Sequence, residues 1–98
     1  MIQKIAILGS TGSIGKSTLD VISKDKKNFN VILLTANNNY SKLIQQAKFF
    51  KAKNVIIRNT KFFKKVKNSL KSTETKVYSG DIHLKDIIKK KIDYTMSS

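Results

Sequence analysis

The chain has no cysteine, which excludes disulfides and thiolate metal sites and is compatible with a reducing compartment. It has no proline, and of its 20 basic side chains only Arg58 is an arginine. Lysine, asparagine and isoleucine are abundant instead, the bias of an AT-rich coding sequence. Base-edge readout and bidentate phosphate contacts favour arginine. The net charge of +14 therefore argues for weak, salt-sensitive association with polyanions, not for specific nucleic-acid recognition. Acids are scarce, 6 in all, and no pair has metal-ligand spacing on a shared face. His83 is the only histidine and falls on an expected exposed helix, where it reads as surface. No general acid, base or nucleophile stands out. Long apolar runs are missing too: Ile5 to Gly9 is too short for a signal-peptide core or a membrane span. The expected location is the cytoplasm.

What remains is one small globular domain, 98 residues with 40% hydrophobic side chains. Strand and helix signals alternate. Residues 4–8 form an apolar run that ends at glycine and reads as a first strand. Ser13 can cap a helix over 14–23, with Ile14, Val21 and Ile22 on one face. A charged turn at 25–28 leads to a strand over 29–36, and Asn37-Asn38-Asn39 forms a polar loop. Ser41 can cap a helix to about Lys51, with Leu43, Ala47 and Phe50 inward. A short strand at 54–57 precedes a helix over 60–71 carrying Phe62, Phe63, Val66 and Leu70 on one side. A strand at 76–78, a helix over 81–91 with Leu84, Ile87 and Ile88 inward, and a strand at 93–96 complete the pattern. The pairs Phe49-Phe50 and Phe62-Phe63 read as core, not as a platform for stacking bases. The alternation specifies an α/β fold: a Rossmann-like, doubly wound parallel sheet of about five strands in three layers. Such folds bind ligands outside the carboxyl ends of their strands. The chain stops just after its last strand, so the expectation is a domain incomplete at its C-terminus.

The stretch Gly9-Ser10-Thr11-Gly12-Ser13-Ile14-Gly15-Lys16-Ser17 admits two phosphate loops. A triphosphate loop needs glycine five residues before Gly15, where Ser10 stands, and an acid at a second strand end for magnesium. Neither requirement is met. A dinucleotide loop fits: Gly9 turns the chain off the strand, Gly12 lets backbone approach a pyrophosphate, and Gly15 lets helix pack on strand. Thr11, Gly12, Ser13 and Ile14 then lie at a helix N-terminus, where an anion is favoured. Lys16 either reaches a phosphate or faces water, and Asp20 reads as a helix residue. The second strand ends without the carboxylate that usually holds a ribose 2′-hydroxyl. Asn37, Asn38 and Asn39 stand there instead, which leans toward a 2′-phosphate.

The block from Lys4 to Gly15, then Ser17-Thr18-Leu19-Asp20-Val21-Ile22, closely resembles the opening of 1-deoxy-D-xylulose 5-phosphate reductoisomerases. The resemblance continues through Phe29-Asn30-Val31, the stretch from Leu34 to Asn39, the stretch from Gln46 to Lys53, and Val77-Tyr78-Ser79-Gly80. It implies an N-terminal NADPH-binding Rossmann-like domain occupying residues 1–98. It also implies an enzyme that isomerises and reduces 1-deoxy-D-xylulose 5-phosphate to 2-C-methyl-D-erythritol 4-phosphate in non-mevalonate isoprenoid synthesis, with magnesium or manganese. Thr11, Gly12, Ser13 and Ile14 would meet the NADPH pyrophosphate, and Asn37, Asn38 and Asn39 its 2′-phosphate side.

Three positions depart from the family pattern. Asn38 stands where arginine or lysine is common and Asn37 where glycine is common, and both departures weaken the case for a strong preference for NADPH. Ala52 stands where proline is common, which would loosen a turn. The family's later Ala-Asn-Lys-Glu loop, metal ligands and substrate-phosphate residues have no counterpart here. The expectation is therefore a cofactor-binding piece that is not catalytic alone. It is expected to be monomeric, although the family enzyme is a homodimer. Two other classes stay open: a stand-alone nucleotide- or nucleic-acid-binding module, and a non-functional remnant.

Overall fold

The computed structural model describes residues 2–80, 84–88 and 92–97. Five strands, β1 (Gln3–Leu8), β2 (Phe29–Ala36), β3 (Asn54–Ile57), β4 (Lys76–Ser79) and β5 (Tyr94–Ser97), form one sheet in the order β4-β3-β2-β1-β5. Every pairing is parallel. Between the strands lie α1 (Ser13–Ser23), α2 (Tyr40–Phe50), α3 (Phe63–Ser69) and α4 (Leu84–Ile88).

The sheet grows outward from β1 to β4, and the chain then returns to add β5 on the far side of β1. Right-handed crossovers place the helices of such a path on opposite faces before and after the return. The two cores follow this rule. Leu19 and Ile22 of α1, Leu43 and Ala47 of α2 and Val66 of α3 pack on Ile5, Ile7, Val31, Leu34, Val55 and Ile57. Ile87 of α4 packs with Ala6, Ile32, Leu33 and Ile56 on the other face. The result is the three-layer, doubly wound sheet, with its reversal point between β1 and β5.

The split of β2 between the cores has a local cause. Ile5 pairs with Val31 but Ala6 pairs with Leu33, so Ile32 is an extra residue in β2. This bulge breaks the strict two-residue alternation. It puts Ile32 and Leu33 side by side in the α4 core. Asn54, 5% exposed, donates through Nδ2 to the Ile32 carbonyl at 3.0 Å.

The inward face of α1 differs from the expected one. Ile14 and Val21 are 57% and 65% exposed, while Gly15, Leu19 and Ile22 are buried. Gly15 sets this rotation. A Cβ on it would lie 2.5 Å from the Gly9 carbonyl oxygen and 2.6 Å from Ser10 Cα. Helix and loop therefore touch backbone to backbone, and the residues four and seven places further on must point inward with Gly15.

The caps differ as well. Gly12, extended at φ −78° and ψ 175°, precedes α1, which begins at Ser13 with no side-chain cap. Asn39 caps α2 in place of Ser41, accepting from the Lys42 N–H at 3.2 Å. The helix starts early because Tyr40 stacks on Phe62, with centroids 4.7 Å apart, and packs against the core. At its other end Lys51 adopts φ 52° and the Ala52 N–H donates to the Ala47 carbonyl at 3.1 Å. The alanine thus closes a turn that a proline could not close through its nitrogen. The expected helix over 60–71 divides into a 3₁₀ turn, Thr60–Phe62, and α3.

Of the five phenylalanines, Phe29, Phe50, Phe62 and Phe63 pack against the core. Phe49 does not: it is 56% exposed, edge-on to Phe50, with Lys26 Nζ 4.2 Å above its ring and bonded to its carbonyl. Asp20 and Lys24 form an exposed pair at 3.7 Å, of little energetic weight. Asp81 and His83 lie outside the described residues. No helix among the described residues is long and apolar enough to cross a membrane.

Candidate functional site

A groove of about 450 Å³ opens beyond the carboxyl ends of β1 and β2. Gly9, Thr11, Gly12, Ser13, Ile14, Asn37, Asn38 and Asn39 line it, so the two loops singled out in the sequence meet at one place. A larger hollow of about 750 Å³, rimmed by Lys48, Lys51, Lys53 and Lys76, lies by the amino ends of β3 and β4. Doubly wound sheets bind ligands at the carboxyl ends, which selects the smaller groove.

The glycine loop leaves β1 through Gly9 at φ +77°, a conformation that side chains with a Cβ rarely adopt. Backbone and side chain of Thr35 then hold it against β2. The Gly9 N–H donates to Thr35 Oγ1 at 2.9 Å and the Ser10 N–H to the Thr35 carbonyl at 2.8 Å. Ser10 is fully buried. Gln46 of α2 closes a ring with it: Gln46 Nε2 donates to the Ser10 carbonyl at 3.0 Å, and Ser10 Oγ donates to Gln46 Oε1 at 2.7 Å. The carbonyl can only accept, so it fixes which way the Gln46 amide faces. Strand β2, helix α2 and the loop are thereby locked together. Residue Ser10, where a triphosphate loop would need glycine, is an interior anchor.

Beyond this anchor the loop is open. The Ser13 and Ile14 N–H groups carry no hydrogen bond among the described residues. These donors point from a helix N-terminus, where the dipole favours negative charge. Lys16 is exposed, and its side chain is not part of the groove wall.

The asparagine loop is equally well held. The Asn59 N–H donates to the Asn37 carbonyl at 3.0 Å and the Tyr40 N–H to the Asn38 carbonyl at 2.7 Å. Asn59 Nδ2 donates to Asn38 Oδ1 at 2.8 Å. Asn39 Oδ1 is occupied by the Lys42 N–H. Both amide oxygens already accept a hydrogen bond, so the unengaged polar atoms of Asn38 and Asn39 are their Nδ2 donors. Among the described residues no carboxylate lines the groove. Sequence reasoning missed Thr35, Gln46 and Asn59. Their partners lie 26, 36 and 21 residues away, and only the sheet order brings them together.

Sheet, reversal point and glycine loop define a Rossmann-like α/β domain with a groove at the carboxyl ends of its strands. Comparison with known proteins narrows the class. A family profile described as 1-deoxy-D-xylulose 5-phosphate reductoisomerase matches residues 5–98. The enzyme of that name from Pelagibacter ubique (strain HTCC1062) is 48% identical over 96 residues, covering 96% of this chain and 25% of the relative. Its namesake from Wolbachia pipientis wMel is 40% identical over 85 residues, 87% of this chain and 22% of the relative. Among solved structures, the Zymomonas mobilis reductoisomerase in complex with NADPH superposes with a TM-score of 0.91 at 33% identity, covering 97% of this chain and 25% of that one. A DOX-P reductoisomerase in complex with NADPH, fosmidomycin and magnesium gives 0.88 at 28% identity, covering 96% and 24%. The chain belongs to the 1-deoxy-D-xylulose 5-phosphate reductoisomerase family and spans about a quarter of the length of these relatives.

Proposed function

We propose that residues 1–98 form the NADPH-binding domain of a 1-deoxy-D-xylulose 5-phosphate reductoisomerase. The supporting observation is the convergence of two loops on one groove that offers N–H donors and, among the described residues, no carboxylate. In this reading the pyrophosphate lies against Thr11, Gly12, Ser13 and Ile14, and the adenosine 2′-phosphate against Asn37, Asn38 and Asn39. Two anionic groups would then meet backbone N–H groups at one end and amide donors at the other. A carboxylate at the end of β2, which would favour a 2′-hydroxyl and repel a 2′-phosphate, is replaced by Asn37.

The residues present fit the cofactor, which supplies a hydride when bound. This chain's residues hold and orient it: Gly15 seats α1 on the loop, Thr35 and Gln46 fix the loop to β2 and α2, and the asparagines read the far phosphate. The conversion of 1-deoxy-D-xylulose 5-phosphate to 2-C-methyl-D-erythritol 4-phosphate is proposed for the whole protein, with this domain not catalytic alone. No three His, Cys, Asp or Glu side chains come together among the described residues. The domain by itself is proposed to be a monomer, and its location the cytoplasm.

Calorimetric titration in moderate salt tests it, with NADPH, NADH and Mg–ATP in parallel. Tighter binding of NADPH than of the other two is expected. Binding that ignores nucleotide identity and collapses with salt would instead favour a non-specific polyanion surface.

A further inference from the structure

We infer that Asn59, which lies outside the groove wall, is a positioning residue that sets the groove's preference for a phosphate over a hydroxyl. The inference rests on the proposal that the groove takes NADPH. Its basis is a chain of hydrogen bonds whose direction has one solution. The Lys61 N–H can only donate, and it bonds Asn59 Oδ1 at 3.1 Å. That fixes the Asn59 amide, so the group it turns toward Asn38 at 2.8 Å is Nδ2, a donor. Asn38 must answer with its oxygen, and its own Nδ2 is left for the groove. A phosphate has acceptor oxygens only and is matched by that donor. A hydroxyl can serve either way and is indifferent to it.

Without the donor from Asn59, the Asn38 amide is free to turn and present its oxygen to a phosphate. Asn59 therefore acts from the β3–α3 loop on a residue 21 positions earlier, through one hydrogen bond. It also ties the two loops through its own N–H to the Asn37 carbonyl, a bond that no side-chain substitution other than proline removes. The side chain can thus be changed while the backbone link stays.

Two variants separate orientation from charge. Asn59→Ser keeps a capping oxygen for the Lys61 N–H, adds no charge and is too short to reach Asn38. Asn59→Asp keeps the cap and offers Asn38 an acceptor, which inverts its amide. Each is made alone and with Asn38→Ala, and the four variants are titrated beside the unaltered chain and Asn38→Ala with NADPH and with NADH. Retention of the fold is checked by the dispersion of backbone amide resonances.

The expected result is a fall in the ratio of NADPH to NADH affinity of about threefold for Asn59→Ser, whose Asn38 amide samples both orientations, and about tenfold for Asn59→Asp, the scale of one hydrogen bond to a charged group. NADH affinity should hold in both, and the Ser effect should vanish in the Asn38→Ala background. A loss that remains with Asp in that background measures direct repulsion and is subtracted. An unchanged ratio, an equal loss for both nucleotides, or an undiminished Ser effect without Asn38 would overturn the inference. If the unaltered chain itself binds NADPH no better than NADH, the cofactor proposal fails first and the inference falls with it. If it discriminates and Asn59→Ser still discriminates equally, only the inference fails.

Discussion

Gly15 carries two consequences in one missing side chain. A methyl group there would press on backbone atoms of Gly9 and Ser10 at 2.5–2.6 Å, and backbone cannot swing aside as a side chain can. Gly15→Ala should destabilise the chain by about 1–3 kcal/mol, read from urea unfolding, and weaken nucleotide binding as the loop shifts. Gly80 is the contrast. Its φ of +72° is strained for alanine, but no atom of the described residues lies within 4 Å of an added Cβ. Gly80→Ala should cost only about 1 kcal/mol, with binding untouched. The Ser10–Gln46 ring makes a third residue-scale prediction. Gln46→Leu removes the donor to the buried Ser10 carbonyl and leaves the Ser10 hydroxyl only its long 3.4 Å bond to the Thr35 carbonyl, so a loss of about 1–3 kcal/mol is expected in the same unfolding measurement.

At the scale of elements, the rotation of α1 and the end of α2 are testable. Leu19→Ala should cost about 2–5 kcal/mol and Val21→Ala well under 1 kcal/mol, because the first side chain is buried and the second is 65% exposed. A reversed order would restore the face drawn from apolar spacing alone. Lys51 is the one non-glycine residue with positive φ among the described residues. Lys51→Gly should raise the melting temperature slightly, by relieving roughly 1 kcal/mol of backbone strain less the entropy of glycine. Elements also mark what was legible in the sequence. Strands β2 and β3 carry their identity in uninterrupted apolar runs, and their bounds were readable as they stand. The inner face of α1 was not, because a glycine contact decided it and glycine has no hydropathy to read. Asn39 outcompeted Ser41 as cap because Tyr40 found a stacking partner in Phe62, 22 positions on, which no local window contains.

At the scale of the molecule, the site is a meeting of two loops that the strand order makes adjacent. Both loops were legible by residue type, glycines in one and asparagines without a carboxylate in the other. What the sequence left unread was the framework beneath them: Thr35, Gln46 and Asn59, whose roles depend on tertiary neighbours. Under the proposed function, the same framework lets a chain with net charge +14 bind selectively. Selectivity would reside in directed donors, while the lysines add a diffuse field that salt screens. Raising the ionic strength should therefore weaken binding of both nucleotides while their affinity ratio persists.

The most direct measurement is an amide-resonance titration of the chain with NADPH, repeated with NADH. The account predicts shifts concentrated at residues 9–15 and 37–39 with NADPH, and loss of the 37–39 component with NADH. Shifts scattered over the lysine-rich helix faces, or none at 9–15 in a folded chain, would contradict it.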